Sequence, residues 1–235
     1  MYGFYYFDYT YFLFMIPALI VSLYAQFKVN STFTKYSKIQ NSNGLTGAEA
    51  AHKVLTKNNV AGVSVEHIHG DLNDHFDPRT NVIKLSDSVH SSTSVAAVGV
   101  AAHEAGHAVQ YARSYMPMRL RSALVPVTNI GSALSMPLIF IGLMLPVQYD
   151  YIVKLGIALF SLAVLFQLVT LPVEFDASRR AIATLENNRI LRGEELAGAR
   201  KVLTAAAMTY LAATFSSVMS LLRLLLIAGG RRGDD

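Results

Sequence analysis

Cysteine is absent from the 235 residues, so the chain can form neither a disulfide nor a thiolate metal site. Any metal must be held by His, Asp or Glu. Charge is scarce too: 15% of residues are Asp, Glu, Lys or Arg, against 52% hydrophobic and a mean hydropathy of +0.35. A soluble domain is about one quarter charged, so the composition excludes an ordinary soluble enzyme and indicates a membrane protein. The formal charge of +4 needs no nucleic acid to explain it, because the basic residues cluster beside apolar segments, where they set orientation. A cleavable leader is not expected either. The first residues are aromatic rather than basic, and no small-residue cleavage site follows.

What is there is a mainly α pattern: a polytopic helical membrane protein of about four spans, organised as one domain. Residues 9–27 are apolar, rich in Tyr and Phe, and flanked by Asp8 and Lys28. They read as a retained first span with an aromatic belt. Residues 28–94 are polar and read as a small α/β subdomain. In it, Thr46-Gly47-Ala48-Glu49 matches a capping box and opens an amphipathic helix to about Asn58. Val63–His69 alternates like a strand, Asp71–Pro78 has turn chemistry, and Asn81–Leu85 is a second short strand. Residues 95–118 form the motif helix discussed below. Residues 123–147, 155–173 and 202–222 are expected as spans two, three and four, with a charged helical segment at 174–201.

Counting basic residues orients the spans. Lys28, Lys35, Lys38, Arg113, Arg119, Arg121, Arg179, Arg180, Arg189, Arg192, Arg200 and Lys201 fall on one side. Lys154 falls on the other, and so do Arg231 and Arg232, which argue the opposite way. The balance places the polar subdomain and the 174–201 segment together on the cytoplasmic side.

Val95–Tyr111 contains His103-Glu104-Ala105-Gly106-His107. Residues four apart share a helix face, so the two imidazoles can aim at one cation while Glu104 serves as general base for an attacking water. Gly99 and Gly106 would let another backbone approach closely. Taken alone, the pattern also fits two histidines on an ordinary helix. A catalytic zinc takes three protein ligands, and no histidine follows closely downstream. Glu174, at the end of an apolar segment and on the same side of the membrane, is the leading third ligand. Asp176, Glu186, Glu194 and Glu195 remain alternatives. The oxyanion of acyl transfer needs a further donor, for which His75, Arg179, Arg180 and Tyr210 are candidates. Val63–His69 could pair with extended substrate as an edge strand, or be purely structural. His67 and His69 alternate on one strand face and could build a second metal site, although histidines so placed are commonly just solvated.

The blocks at Thr46–Asn58, Asp74–Pro78 (DHFDP), Ile83–Asp87 (IKLSD), Ser94–Gln110 (SVAAVGVAAHEAGHAVQ) and Pro172–Ala181 (PVEFDASRRA) together resemble the YugP-type neutral zinc metallopeptidases of bacterial membranes. The resemblance runs over nearly the whole chain. It implies a gluzincin-like peptidase of the bacterial plasma membrane that holds one catalytic Zn²⁺. More distantly, the arrangement is similar to the HtpX-type and CAAX-prenyl membrane proteases, in which the Glu of an E-x-x-A-D segment is the third ligand. That pattern falls on Glu174–Ser178, matching at Glu174 and Ala177 and departing at Ser178, where those relatives carry Asp. The expected function is therefore hydrolysis of peptide or membrane-protein substrates at the cytoplasmic membrane surface, in the setting of membrane-protein quality control. A silent, metal-clamped scaffold is the competing reading, and the intact Glu104 speaks against it. Four spans without repeat halves speak against a transporter.

Overall fold

The computed structural model describes residues 9–230. Asp8, which flanks the first span, and Arg231 and Arg232, which entered the orientation count, lie outside them. Among the described residues there are six α-helices, one 3-10 turn and a three-stranded sheet: α1 Tyr9–Tyr36, α2 Gly47–Lys57, β1 Ser64–His67, β2 His75–Asp77, β3 Val82–Leu85, α3 Val95–Ala112, α4 Met116–Met144, the turn Val147–Tyr149, α5 Asp150–Asn187 and α6 Gly193–Gly230. Four helical stretches, Tyr9–Tyr36, Met116–Met144, Val147–Asn187 and Gly193–Gly230, are long and apolar enough to cross a bilayer. The protein is a mainly α, polytopic membrane protein.

The helices run further than the apolar stretches that mark the spans. α1 continues past Lys28 to Tyr36, α5 continues without a break through Glu174 to Asn187, and α6 joins the charged 193–201 stretch to the apolar run after it. Helix continuity rests on local backbone hydrogen bonds, which a change from apolar to charged side chains does not interrupt. The motif helix, by contrast, ends at Ala112 rather than near residue 118. Ser114 adopts φ +50°, and the Tyr115 N–H turns back to the Gln110 carbonyl before α4 begins.

The chain divides into two compact units. The first comprises residues 9–24, 120–169 and 210–230. Its small core is Ile139, Val153, Ile157 and Leu224. The α4–α5 hairpin closes tightly, because a Cβ on Gly142 would meet Val153 N at 2.9 Å. Outward it shows Leu19, Phe140, Tyr151 and Leu226, an apolar exterior that a bilayer solvates at no cost.

The second unit, residues 25–119 and 170–209, has the larger core. The sheet order is β1-β3-β2, with β1 parallel to β3 (His67 opposite Leu85) and β2 antiparallel to it (Phe76 opposite Ile83). β2 lies inside the stretch expected to be only a turn. Three residues suffice because Phe76 is buried and Asp74 anchors the approach by accepting from Ser86 N at 2.7 Å. α2 begins at the expected capping box, with Thr46 N–H donating to Glu49 Oε2 and Glu49 N–H to Thr46 Oγ1. Its buried face is Ala50, Ala51, Val54 and Leu55, set against α3. α3 is the central helix. Ser94 caps it through Ala97 N–H, and its small side chains are buried nearly all round, as a helix apolar on every face requires.

Candidate metal centre

Two helices of the second unit build the site. α3 carries His103, Glu104 and His107, one helical turn apart as their spacing dictates. α5 carries Glu174 and lies close against α3, because at Gly106 the two backbones nearly touch. A Cβ on Gly106 would sit 2.6 Å from the Ala177 carbonyl oxygen. The expectation of close approach at Gly106 thus describes the contact that sets the site's width. At Gly99 the equivalent distance to Ala199 Cβ is 3.4 Å, ordinary packing.

The convergence is tight. His103 Nε2 lies 3.2 Å from Glu174 Oε2, His107 Nε2 lies 3.4 Å from the same oxygen, and the two Nε2 atoms are 3.1 Å apart. Zinc bonds of about 2.0–2.1 Å place tetrahedral ligands about 3.3–3.4 Å from one another, close to the triangle observed. His107 and Glu174 are buried, and His103 is half-buried.

Hydrogen bonding decides what this triangle can hold. Gln110, fully buried one turn after His107, donates through Nε2 to Val173 O (2.8 Å) and Asp176 Oδ2 (2.9 Å). Its Oε1, an acceptor only, faces His107 Nδ1 at 3.1 Å. His107 must therefore carry its proton on Nδ1 and present a lone pair at Nε2. On the other ligand, Ser178 Oγ holds His103 Nδ1 at 3.1 Å. Two acceptors, His107 Nε2 and Glu174 Oε2, thus meet His103 Nε2 in a buried space, where one proton cannot satisfy all three contacts. A cation does, and the donor set of two imidazoles and a carboxylate suits zinc.

Glu104 is buried but hydrogen-bonded by the Phe76 backbone N–H of β2. Burial pushes its carboxyl up to about 7, against the pull of His103. The carboxylates of Glu174 and Asp74 add to the rise. Asp74 itself is raised by burial, although Ser86 hydrogen bonds oppose this.

The other expected residues fall as follows. Arg179 and Arg180 are both engaged by Asp176, and Arg180 also lies over the Tyr115 ring at 5.6 Å. His75 is exposed on β2, its Nδ1 donating to Asn73 O at 2.9 Å. Tyr210 is on α6 and belongs to the first unit. Among the alternative third ligands, Glu186 pairs with Arg200, Glu195 accepts from Ser42 N, and Glu194 is exposed in the first turn of α6. Asp176 lies two residues beyond Glu174 and is joined to His107 only through Gln110. The strand beside Glu104 is β2, not the Val63–His69 segment, whose β1 pairs with β3 on the far edge. Gln110 and Ser178 escaped the reading of the sequence. Gln110 was identifiable, since three residues after His107 is the same helix face. Ser178 marked a departure from the E-x-x-A-D pattern, and it is this hydroxyl that takes His103 Nδ1.

A cavity of about 350 Å³ adjoins the site, lined by Phe175, Ser178, Arg179, Ile182, Leu203 and Ala207 among others. Ser178 both lines it and holds His103.

Comparison with known proteins agrees with this chemistry. Residues 11–229 match the family described as "Putative neutral zinc metallopeptidase". A curated relative, the "Putative membrane protease YugP" of Bacillus subtilis (strain 168), is 47% identical over 220 residues, covering 94% of this chain and 97% of the relative. No solved structure matches. The match over nearly the full length, on a chain whose two helices converge a His–His–Glu triangle beside a buried glutamate, shows that this protein belongs to the neutral zinc metallopeptidase family.

Proposed function

We propose that the protein is a zinc-dependent endopeptidase that cleaves peptide or membrane-protein substrates at the cytoplasmic surface of the bacterial plasma membrane, in membrane-protein quality control. The observation that carries this reading is the 3.1–3.4 Å triangle of His103 Nε2, His107 Nε2 and Glu174 Oε2 with Glu104 next to it in the chain. When bound there, one zinc ion supplies Lewis-acid polarisation of a carbonyl and acidifies a water in its open position. Gln110 and Ser178 fix the orientation of the two imidazoles. Glu104 takes the proton of the attacking water and returns it to the leaving amine, from a buried position next to His103 in the chain. The cavity beside Ser178 is the natural receptacle for an apolar substrate side chain. The cytoplasmic assignment is supported by the Lys and Arg bias of the segments that carry the site. Nucleic acid has no place in this scheme.

The test is cleavage of a soluble unfolded protein and of a denatured membrane protein by the detergent-purified chain. Wild type should cleave. Glu104→Gln should lose about 10²–10⁴-fold in rate while keeping about one zinc at this site, and Glu174→Ala should lose that zinc. Equal cleavage by wild type and Glu104→Gln would overturn the proposal.

A further inference from the structure

The triangle on α3 and α5 is not the only convergence of metal-binding side chains. At the carboxyl ends of the parallel neighbours β1 and β3, His67 lies in register with Leu85, which brings the chain after each strand to one place. Asp87 Oδ1 there lies 2.6 Å from His67 Nε2 and 3.7 Å from His69 Nδ1. The His67 and His69 rings are 5.3 Å apart at 80°, close to the 4.6 Å and 80° of His103 and His107. A third ring, His90, stands 5.3 Å from His67.

The carboxylate is held for this task. Asp87 N–H donates to Gly70 O at 3.0 Å, and Gly70 N–H returns to Asp87 Oδ2 at 2.8 Å. This reciprocal clasp uses one carboxylate oxygen and leaves Oδ1 facing the histidines. It also needs Gly70, whose φ of +115° disfavours any other residue. A His67–Asp87 ion pair alone would account for one imidazole. It does not account for His69, whose side chain is 96% exposed and still turns Nδ1 toward the same oxygen.

We propose that His67, His69 and Asp87 form a second, solvent-accessible site for a borderline divalent cation such as Zn²⁺, separate from the α3–α5 triangle. Two imidazoles with one carboxylate select zinc and its neighbours over calcium or magnesium. The observed 2.6 and 3.7 Å edges straddle the roughly 3.3–3.4 Å of tetrahedral zinc, and exposed side chains adjust by such amounts freely. An ion here ties the end of β1 to the segment that leads into α3.

The experiment is zinc titration of the full-length, tag-free chain in detergent against a chromophoric competitor. Wild type should take two equivalents. His69→Gln and Asp87→Asn should each take one, with the affinity of the second falling by more than about 100-fold, since losing a ligand exceeds the 10–100-fold of losing a supporting hydrogen bond. Asn at 87 still accepts from Gly70 N–H, so the loop is preserved. Glu174→Ala should keep one equivalent, and adding His69→Gln should remove it. Exposed His52 on α2 is the control, and His52→Gln should keep both. Identical zinc uptake by wild type and His69→Gln would overturn the proposal, as would equal losses from His52→Gln. A single wild-type equivalent lost with His69→Gln but kept in Glu174→Ala would support this site and overturn the α3–α5 triangle instead.

Discussion

Gln110→Leu is the sharpest probe of the metal centre, because it removes three hydrogen bonds without touching a ligand. Leucine nearly matches glutamine in volume, so the fully buried position stays filled. The Val173 carbonyl loses only an accessory donor, and Asp176 keeps Arg179 and Arg180. His107 alone is left in deficit. Its Nδ1–H, in a side chain 8% exposed, loses its acceptor. A buried unsatisfied donor costs about 1–3 kcal/mol. Loss of a hydrogen bond behind a ligand histidine lowers metal affinity about 10–100-fold, or about 1.4–2.7 kcal/mol. Zinc competition should therefore show that fall, while the melting temperature of the metal-free chain drops modestly. Gln110→Glu should preserve more of the affinity, since a carboxylate still accepts from Nδ1–H. It should destabilise the fold more, because it turns an acceptor toward Val173 O and Asp176. Zinc affinity within about twofold of wild type in Gln110→Leu, alongside a lowered melting temperature, would refute the reasoning and reduce Gln110 to packing.

Two further outcomes follow from the same geometry. Gly106→Ala drives a methyl to 2.6 Å from the Ala177 carbonyl oxygen, a backbone atom that cannot step aside. It should cost about 1–3 kcal/mol of stability and weaken zinc binding, whereas Gly99→Ala, at 3.4 Å, should be near neutral by the same melts and titrations. Glu104 gives a pH signature in the metal-free protein. Its folded value, about 7, lies above the ordinary 4.5, so the folded state binds the proton more tightly. The stability this contributes is complete below about 4.5 and is lost as pH rises through about 7. By pH 8 an ionised Glu104 should cost on the order of 3 kcal/mol. Glu104→Gln should then melt higher than wild type at pH 8 with the gap closing toward pH 4.5, and parallel melting curves across that range would contradict it.

Much of this architecture was legible because it rests on local pattern. The four spans announce themselves by apolar runs, the start of α2 by Thr46 and Glu49, and the pairing of His103 with His107 by their spacing. Glu174 could be singled out because a carboxylate ending an apolar run needs a partner. What stayed hidden was mostly long-range. Nothing near Asp74–Pro78 reveals that three of its residues pair with β3 and lend a backbone N–H to Glu104. Ser178 reads as a missing aspartate until His103 is set against it. His67 and His69 read as solvated until the parallel register delivers Asp87. The site residues are close in sequence only in pairs, and close packing of α3 on α5 at a single glycine turns the pairs into a triangle.

The division of that triangle between two helices has a consequence for biogenesis. His103 is synthesised 71 residues ahead of Glu174, and α4 and the apolar first half of α5 are laid down between them. The nascent chain thus carries an isolated histidine pair, a weak metal ligand, through the whole period in which its own unfolded segments are exposed. The third ligand arrives on the same helix as the third span, so the triad closes only when that helix has been threaded and seated against Gly106. The three side chains therefore converge only in the finished fold, and a cation held by them would be acquired after that helix is in place.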